Sequence, residues 1–311
     1  MQIGTYNCET PFATVGSGSA RWCVATKDGR RYFLKQFLTP VRPSLSSAAP
    51  QALQQKQLER CSLFERRKHA LYEALHCVLG DCVVPVTDFF AFEGRYFSAS
   101  EYVQTPYETF ETLGSIPPRL ARQLLFQLAR CLGRLHAQGI VHADLKPEHV
   151  LLQREGEQFL VRLIDFDSGF LEVDPPTEPR DIEGDPVYLA PETYLRMMGM
   201  PATLTRRLDT FAFGAIAHRL WTGTLPKAVA TEQTYLYEAA LSDGAIQLSD
   251  ELPTAYRWLI RKSFSRNPED RPDDGLLERL FAPPVEEAHP TSKAVNGLSR
   301  YMRTEHKLPT R

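Results

Sequence analysis

Apolar positions recur at helical spacing across roughly Ala52 to Leu79, where Leu58, Cys61, Phe64, Leu71, Leu75 and Val78 share one face of a helix turning about 100° per residue. A second stripe, from Leu120 to Leu135 with apolar residues at 120, 124, 128, 131, 132 and 135, predicts another buried amphipathic helix. Ahead of the first helix the pattern is that of strands. Lys27-Asp-Gly29 reads as a hairpin turn leading into Arg31-Tyr-Phe-Leu-Lys35. Val83 to Phe90 and Arg95 to Ser100 read as two more strands, and Phe159 to Ile164 as a later β-rich run. Residues 36–51 carry the breakers Pro40, Pro43 and Pro50 and predict an irregular loop. Residues 283–311 are polar and predict a mobile tail.

Composition narrows the class. A chain of 311 residues that is 43% hydrophobic can bury a large core and is expected to form one two-lobed domain. A net charge of −2 provides no global basic field for nucleic acid. Cys8, Cys23, Cys61, Cys77, Cys82 and Cys131 are scattered and form no C-x-x-C pair, which fits reduced thiols better than a disulfide framework or a zinc site. The N-terminus has no apolar signal region, and no run reaches the ~18 apolar residues of a membrane span. A soluble, cytoplasmic protein is the expectation.

The candidate chemistry lies in Ile140-Val-His-Ala-Asp-Leu-Lys-Pro-Glu-His-Val150 and in Ile164-Asp-Phe-Asp167. These supply a candidate base at Asp144, a cation at Lys146 and a metal-binding carboxylate at Asp165, which closes a β-rich run. The stretches resemble the protein-kinase catalytic loop H-R-D-x-K-x-x-N and its metal-binding D-F-G. Ala143 stands in place of the arginine, and His149 in place of the metal-binding asparagine. The resemblance implies that Asp144 accepts the substrate hydroxyl's proton and that Lys146 sits against the γ-phosphoryl group. Asp165 and position 149 are then the metal positions. Imidazole is a poor ligand for Mg²⁺ and suits softer metals, so Mn²⁺ is expected to serve His149 better.

Further matches follow in order. Val15 to Val24 resembles the glycine-rich loop, with Gly16 and Gly18 in place and Arg21 at the third glycine position. Lys35 matches the strand lysine that grips the α- and β-phosphates, while Phe33 occupies a position usually held by a small alanine. A helix acid should pair with that lysine. Glu65 lies roughly 90° from the centre of the apolar face, whereas Glu59 and Glu73 point nearly away, which makes Glu65 the choice. Glu101-Tyr-Val103 resembles the hinge whose backbone holds the adenine edge, behind the small Ser100, and Leu151 completes the nucleotide-binding set. Gly184 to Glu192 resembles G-T-x-x-Y-x-A-P-E with Asp185 for the threonine. Asp209 to Gly214 resembles D-x-x-x-x-G, and Arg271 is the expected buried partner of Glu192.

Together, over approximately residues 10 to 282, the chain resembles bacterial eukaryotic-like Ser/Thr protein kinases. The resemblance implies an α+β bilobed fold. A small antiparallel-sheet N-lobe would cover residues 1–103, a mainly helical C-lobe residues 104–282, and nucleotide would lie in the cleft between them. It also implies transfer of the γ-phosphate of ATP, with Mg²⁺ or Mn²⁺, to hydroxyls of a protein substrate. Loss of the arginine at Ala143 removes the cation that usually grips a phosphorylated activation loop, so modification of Ser168, Thr177 or Tyr188 should matter little. Two alternatives remain. Arg21, Phe33, Ala143, His149, Asp167 and Asp185 together suit a pseudokinase, a nucleotide-binding scaffold. Asp167 also suits a small-molecule kinase of the aminoglycoside or choline type, against which Lys146, Glu192 and Arg271 argue.

Overall fold

Alternation of apolar and polar residues builds the N-terminal sheet. In the computed structural model, which describes residues 1–14, 20–44, 49–78, 80, 82–103, 107–113, 116–155, 158–229, 235–242 and 244–283, six strands form one antiparallel sheet. They are β1 (Gln2–Ile3), β2 (Tyr6–Cys8), β3 (Ala20–Lys27), β4 (Arg30–Phe37), β5 (Val86–Phe92) and β6 (Arg95–Glu101), in the order β1-β2-β3-β4-β6-β5. The β3–β4 hairpin closes through Asp28 (φ 50°) and Gly29 (φ 72°), the left-handed pair of a turn whose twist matches the strands it joins. Its register sets Trp22 opposite Lys35 and Val24 opposite Phe33. Cys23, Ala25, Leu34, Phe97 and Ala99 bury together on one face of this sheet.

The long helix α1 spans Gln51–His76. It packs an aromatic seam, Phe64 against Phe37, Phe89 and Tyr96, beneath the sheet. The irregular loop before it is shorter than expected, because Gln36 and Phe37 continue β4. The strand expected from Val83 begins at Val86. Val83 instead bridges Leu163, and Val84 N–H donates to the Leu163 carbonyl at 2.9 Å, which ties the two lobes together.

The C-terminal lobe is mostly helical. Its small β elements are β7 (Tyr107–Thr109), β8 (Ile140–Val141), the β9–β10 hairpin (Val150–Glu155 and Gln158–Leu163), β11 (Phe170–Leu171), which pairs with β8, and the pair β12 (Lys227–Ala228) and β13 (Ile246–Gln247). Helix α2 (Pro118–Ala137) buries Leu124, Leu125, Leu128, Leu132 and Leu135. It is followed by α3 (Pro191–Met197), α4 (Arg207–Thr222), α5 (Leu236–Leu241), α6 (Thr254–Ser263) and α7 (Asp274–Phe281). Nearly every side of α4 is buried, as expected of a helix at the centre of a core. A Cβ at Gly214 would lie 2.6 Å from Ser263 Cβ, so α6 can approach α4 only over a glycine. The main core runs continuously from the C-terminal half of α1 through this lobe. Helix α1 ends at His76, capped by Cys77, short of the expected end near Leu79. The expected glycine-rich turn with Gly16 and Gly18 and all of the tail after residue 283 lie outside the described residues.

Candidate active site

Lys35 and Phe33 alternate with the buried Leu34 on β4, so both side chains line the cleft between the lobes. Across that cleft, the chain leaving β10 reverses at Asp165, whose φ of 66° is unusual for a non-glycine residue. Such a conformation costs about 1–3 kcal/mol and persists where surrounding contacts over-determine it. Here they do. Lys35 Nζ is 2.6 Å from Asp165 Oδ1 and 2.9 Å from Asp167 Oδ2. Burial pushes the Asp165 carboxyl up, but the Lys35 ammonium beside it outweighs that and holds the group well below the usual carboxylate range. Burial disfavours the charged Lys35, yet Asp167 and Asp165 together raise its pKa above the ordinary value.

The catalytic-loop segment hangs from α4. The buried Asp209 carboxylate accepts the backbone N–H of His142 at 2.8 Å and of Ala143 at 3.0 Å, which secures Ala143 at φ 66°. His142 is buried and donates Nε2–H to the Ile164 carbonyl at 3.1 Å, and burial lowers its pKa, favouring the neutral ring. Asp144 Oδ1 accepts the Asp185 backbone N–H at 2.9 Å, and its Oδ2 lies 3.2 Å from Lys146 Nζ. Lys146 is also 3.7 Å from Asp185 Oδ2. Burial lowers its pKa, but Asp144 beside it outweighs that and raises it.

His149 stands between the two aspartates. Its Nδ1 donates to the Asp144 carbonyl at 2.8 Å, and its Nε2 lies 3.3 Å from Asp165 Oδ2. In the neutral ring Nε2 then carries the lone pair. Two lone pairs at that separation are complementary only to a positive centre between them, a proton or a metal cation. The oxygen donors of Asp165 and one imidazole nitrogen are donor types that fit a divalent cation. Among the described residues no cluster of three His, Cys, Asp or Glu side chains forms a dedicated metal cage.

A cavity of about 330 Å³ lies beneath Phe33, bordered by Glu101, Val103, Leu151 and Asp165, a volume within the range of small-ligand sites. Trp22 stacks on Phe33, centroids 4.9 Å apart, so the roof of the cleft is a pair of aromatic rings. Phe33 therefore reshapes the cavity without filling it. Trp22 carried no motif signal, because its role depends on the β3–β4 register.

The structure corrects one assignment. Glu65 does not face Lys35; its carboxylate accepts hydrogen bonds from Arg42, whose Nε lies 3.0 Å away, and from the Tyr96 hydroxyl. The residue of α1 turned toward the cleft is Lys68, whose Nζ donates to the carbonyls of Phe166 and Asp167. Packing sets this rotation. Cys61, Phe64, Lys68, Leu71 and Leu75 lie on the inward face, and the helical stripe in the sequence has its gap at position 68. That gap was the available signal. Lower in the lobe, Arg271 and Glu192 form a buried bidentate pair at 2.6 and 2.7 Å. Tyr188 is buried, and its hydroxyl accepts from Arg219 at 2.9 Å.

With two lobes, a cleft and this arrangement of Asp144, Lys146, Lys35 and Asp165 in place, the comparison with known families is decisive. Residues 52–280 match the family described as "protein kinase domain". The chain belongs to that family. It is 30% identical over 210 residues to serine/threonine-protein kinase pkn2 of Myxococcus xanthus, covering 63% of this chain and 24% of the relative. It is also 30% identical over 167 residues to serine/threonine-protein kinase PkaA of Streptomyces coelicolor, covering 53% of this chain and 30% of the relative. The chain thus spans less than a third of either relative's length. Among solved structures, the Mycobacterium tuberculosis PknI kinase domain, a double mutant, superposes with a TM-score of 0.56 at 18% identity, over 96% of both chains. At that identity the likeness speaks for the protein-kinase fold, with its sheet-built N-lobe and helical C-lobe. No helix among the described residues is long and apolar enough to cross a membrane.

Proposed function

We propose that the protein is an ATP-dependent Ser/Thr protein kinase that uses a divalent cation and does not require phosphorylation of its activation segment. The observation that carries this reading is the convergence of Asp144, Lys146 and Asp165 below Lys35, at the edge of a cleft with room for a nucleotide. Asp144 accepts the proton of the acceptor hydroxyl. Lys146, 3.2 Å from Asp144 Oδ2, neutralises the charge developing on the transferred group. Lys35 holds the α- and β-phosphates, Glu101 and Val103 supply the backbone edge for adenine, and Leu151 lies against its ring. Asp165 and His149 would hold the cation, which when bound would neutralise phosphate charge. Protein substrates follow from the family, and the Ser/Thr class is supported by Lys146 and by the names of the relatives.

Independence from phosphorylation is supported by carboxylates already present along the activation segment. Arg60 of α1 pairs with Asp181 at 2.8 Å, Arg67 pairs with Asp174 at 2.8 Å, and Asp185 lies beside Lys146. These anions meet the cations that a phosphate would otherwise meet. The experiment is transfer of labelled γ-phosphate from ATP to a generic protein acceptor and to the kinase itself. It is run with Mg²⁺ and with Mn²⁺, for wild type and Asp144→Ala. Transfer that disappears in Asp144→Ala supports the reading; no transfer with either metal would leave a nucleotide-binding scaffold in its place.

A further inference from the structure

We infer that this protein has transposed the charges that position its nucleotide-binding lysine: Asp167 supplies the carboxylate partner of Lys35, and Lys68 takes the helix position where an acid would be expected. The inference deepens the kinase reading and rests on it for its kinetic readout.

A buried ammonium needs an anion that stays with it through the catalytic cycle. Lys35 has two carboxylates within reach, Asp165 Oδ1 at 2.6 Å and Asp167 Oδ2 at 2.9 Å. Asp165 also faces His149 and is the carboxylate for the cation. The acid left to serve Lys35 alone is Asp167, whose side chain is only 14% exposed. Helix α1 offers no competitor there, because Glu65 is bonded to Arg42 and Tyr96.

Lys68 accounts for the other half of the exchange. It is 6% exposed, its Nζ donates to the carbonyl oxygens of Asp167 and Phe166, and the rings of Phe37, Phe64 and Tyr72 surround it at 5.6 to 5.9 Å. With the Asp167 charge acting on this position, a carboxylate in that place would set two anions together; an ammonium is complementary to that acid, to the carbonyl oxygens and to the ring faces. In the reverse case, a glycine at 167 would leave Lys35 and Lys68 as two cations with only Asp165 between them. Each residue is therefore intelligible only in the presence of the other. Burial lowers the Lys68 pKa, and the two anions Asp167 and Asp165 oppose that effect. The segment that carries the metal-binding acid thereby also carries the lysine's positioning residue, and Lys68 fastens that segment to α1 through its backbone.

The test uses the full chain and compares wild type with Asp167→Asn, Asp167→Gly and the double variant Asp167→Gly/Lys68→Glu. A non-hydrolysable ATP analogue measures binding, and steady-state transfer measures KM for ATP and kcat. Mass spectrometry follows acylation of Lys35 by an amine-reactive ester. Loss of one charge-assisted hydrogen bond should raise KM for ATP about tenfold in Asp167→Asn. Lys35 acylation should rise at the same time as its anionic partner disappears. The double variant, with an acid returned to the helix, should recover most of the nucleotide affinity lost by Asp167→Gly. A merely structural role for Asp167 predicts neither the acylation change nor the rescue. Unchanged KM in Asp167→Asn, or a defect confined to the metal concentration required at saturating ATP, would overturn the inference. So would a double variant no better than Asp167→Gly. If wild type transfers no phosphate, the kinase reading fails. The analogue-binding and acylation arms still decide the pairing of Lys35.

Discussion

His149 links the candidate base to the candidate metal carboxylate, with one ring nitrogen on the Asp144 carbonyl and the other facing Asp165. This fixes its tautomer in the neutral ring, much as outer partners orient metal-bound histidines elsewhere. Imidazole nitrogen binds transition metals better than it binds Mg²⁺, which prefers oxygen and gives up water reluctantly. At matched metal concentrations, phosphate transfer should be faster with Mn²⁺ than with Mg²⁺, and His149→Asn should restore use of Mg²⁺. Equal rates with both metals in both proteins would count against His149 as a ligand.

At the scale of elements, α1 is tied to the activation segment from two of its turns. Arg60 reaches Asp181, and Arg67 reaches Asp174 and the Pro175 carbonyl at 3.0 Å. The Arg67 guanidinium holds the Asp174 carboxyl below its usual range, against the opposing effect of burial. These partners are carboxylates of the segment itself. Ser168→Ala/Thr177→Ala should keep most of the wild-type activity. Arg67→Ala should lower kcat while changing global stability by no more than about 1 kcal/mol, since the pair is partly exposed. Activity assays alongside denaturant melts separate the two effects, and loss of activity in the Ser168/Thr177 variant would overturn phosphorylation independence. Tyr188 does not belong with these sites, because burial and its bond to Arg219 make it part of the packing.

At the scale of the whole molecule, buried charges tie helices distant in sequence into one core. His136 of α2 lies 3.0 Å from Asp209 of α4 and 2.8 Å from Asp274 of α7. Burial opposes its protonation, but the hydrogen bonds to Asp209 and Asp274 prevail and raise its pKa from 6.5 to about 9. A pKa raised by folding contributes stability that is complete below the unfolded value and is lost as pH rises through the folded one. Stability should therefore fall between pH 6.5 and about 9, by up to roughly 3 kcal/mol. His136→Gln should be less stable at pH 6 and nearly flat across that window. Urea titrations of both proteins at several pH values measure it, and parallel pH profiles would refute the linkage.

What the sequence by itself determined here was local and ordinal. Strand alternation, the apolar stripes of α1 and α2, and the separated stretches around Asp144, Asp165, Glu192, Asp209 and Arg271 could be read because each depends on neighbours a few residues away. The Glu192–Arg271 pair was legible through the resemblance of its two stretches to protein-kinase motifs. The partner of Lys35 was not. Glu65 lay on a plausible flank of the helix, but the rotation of α1 is decided by packing of Phe64, Leu71 and Leu75 and by Arg42, which captures Glu65. The reversal at Asp165 brings Asp167 to Lys35, and no periodicity encodes a left-handed aspartate. Tertiary packing alone decided where Lys68 and Asp167 stand, because their partners lie 98 and 132 residues away in the sequence, whereas Trp22 reaches Phe33 through the register of one hairpin.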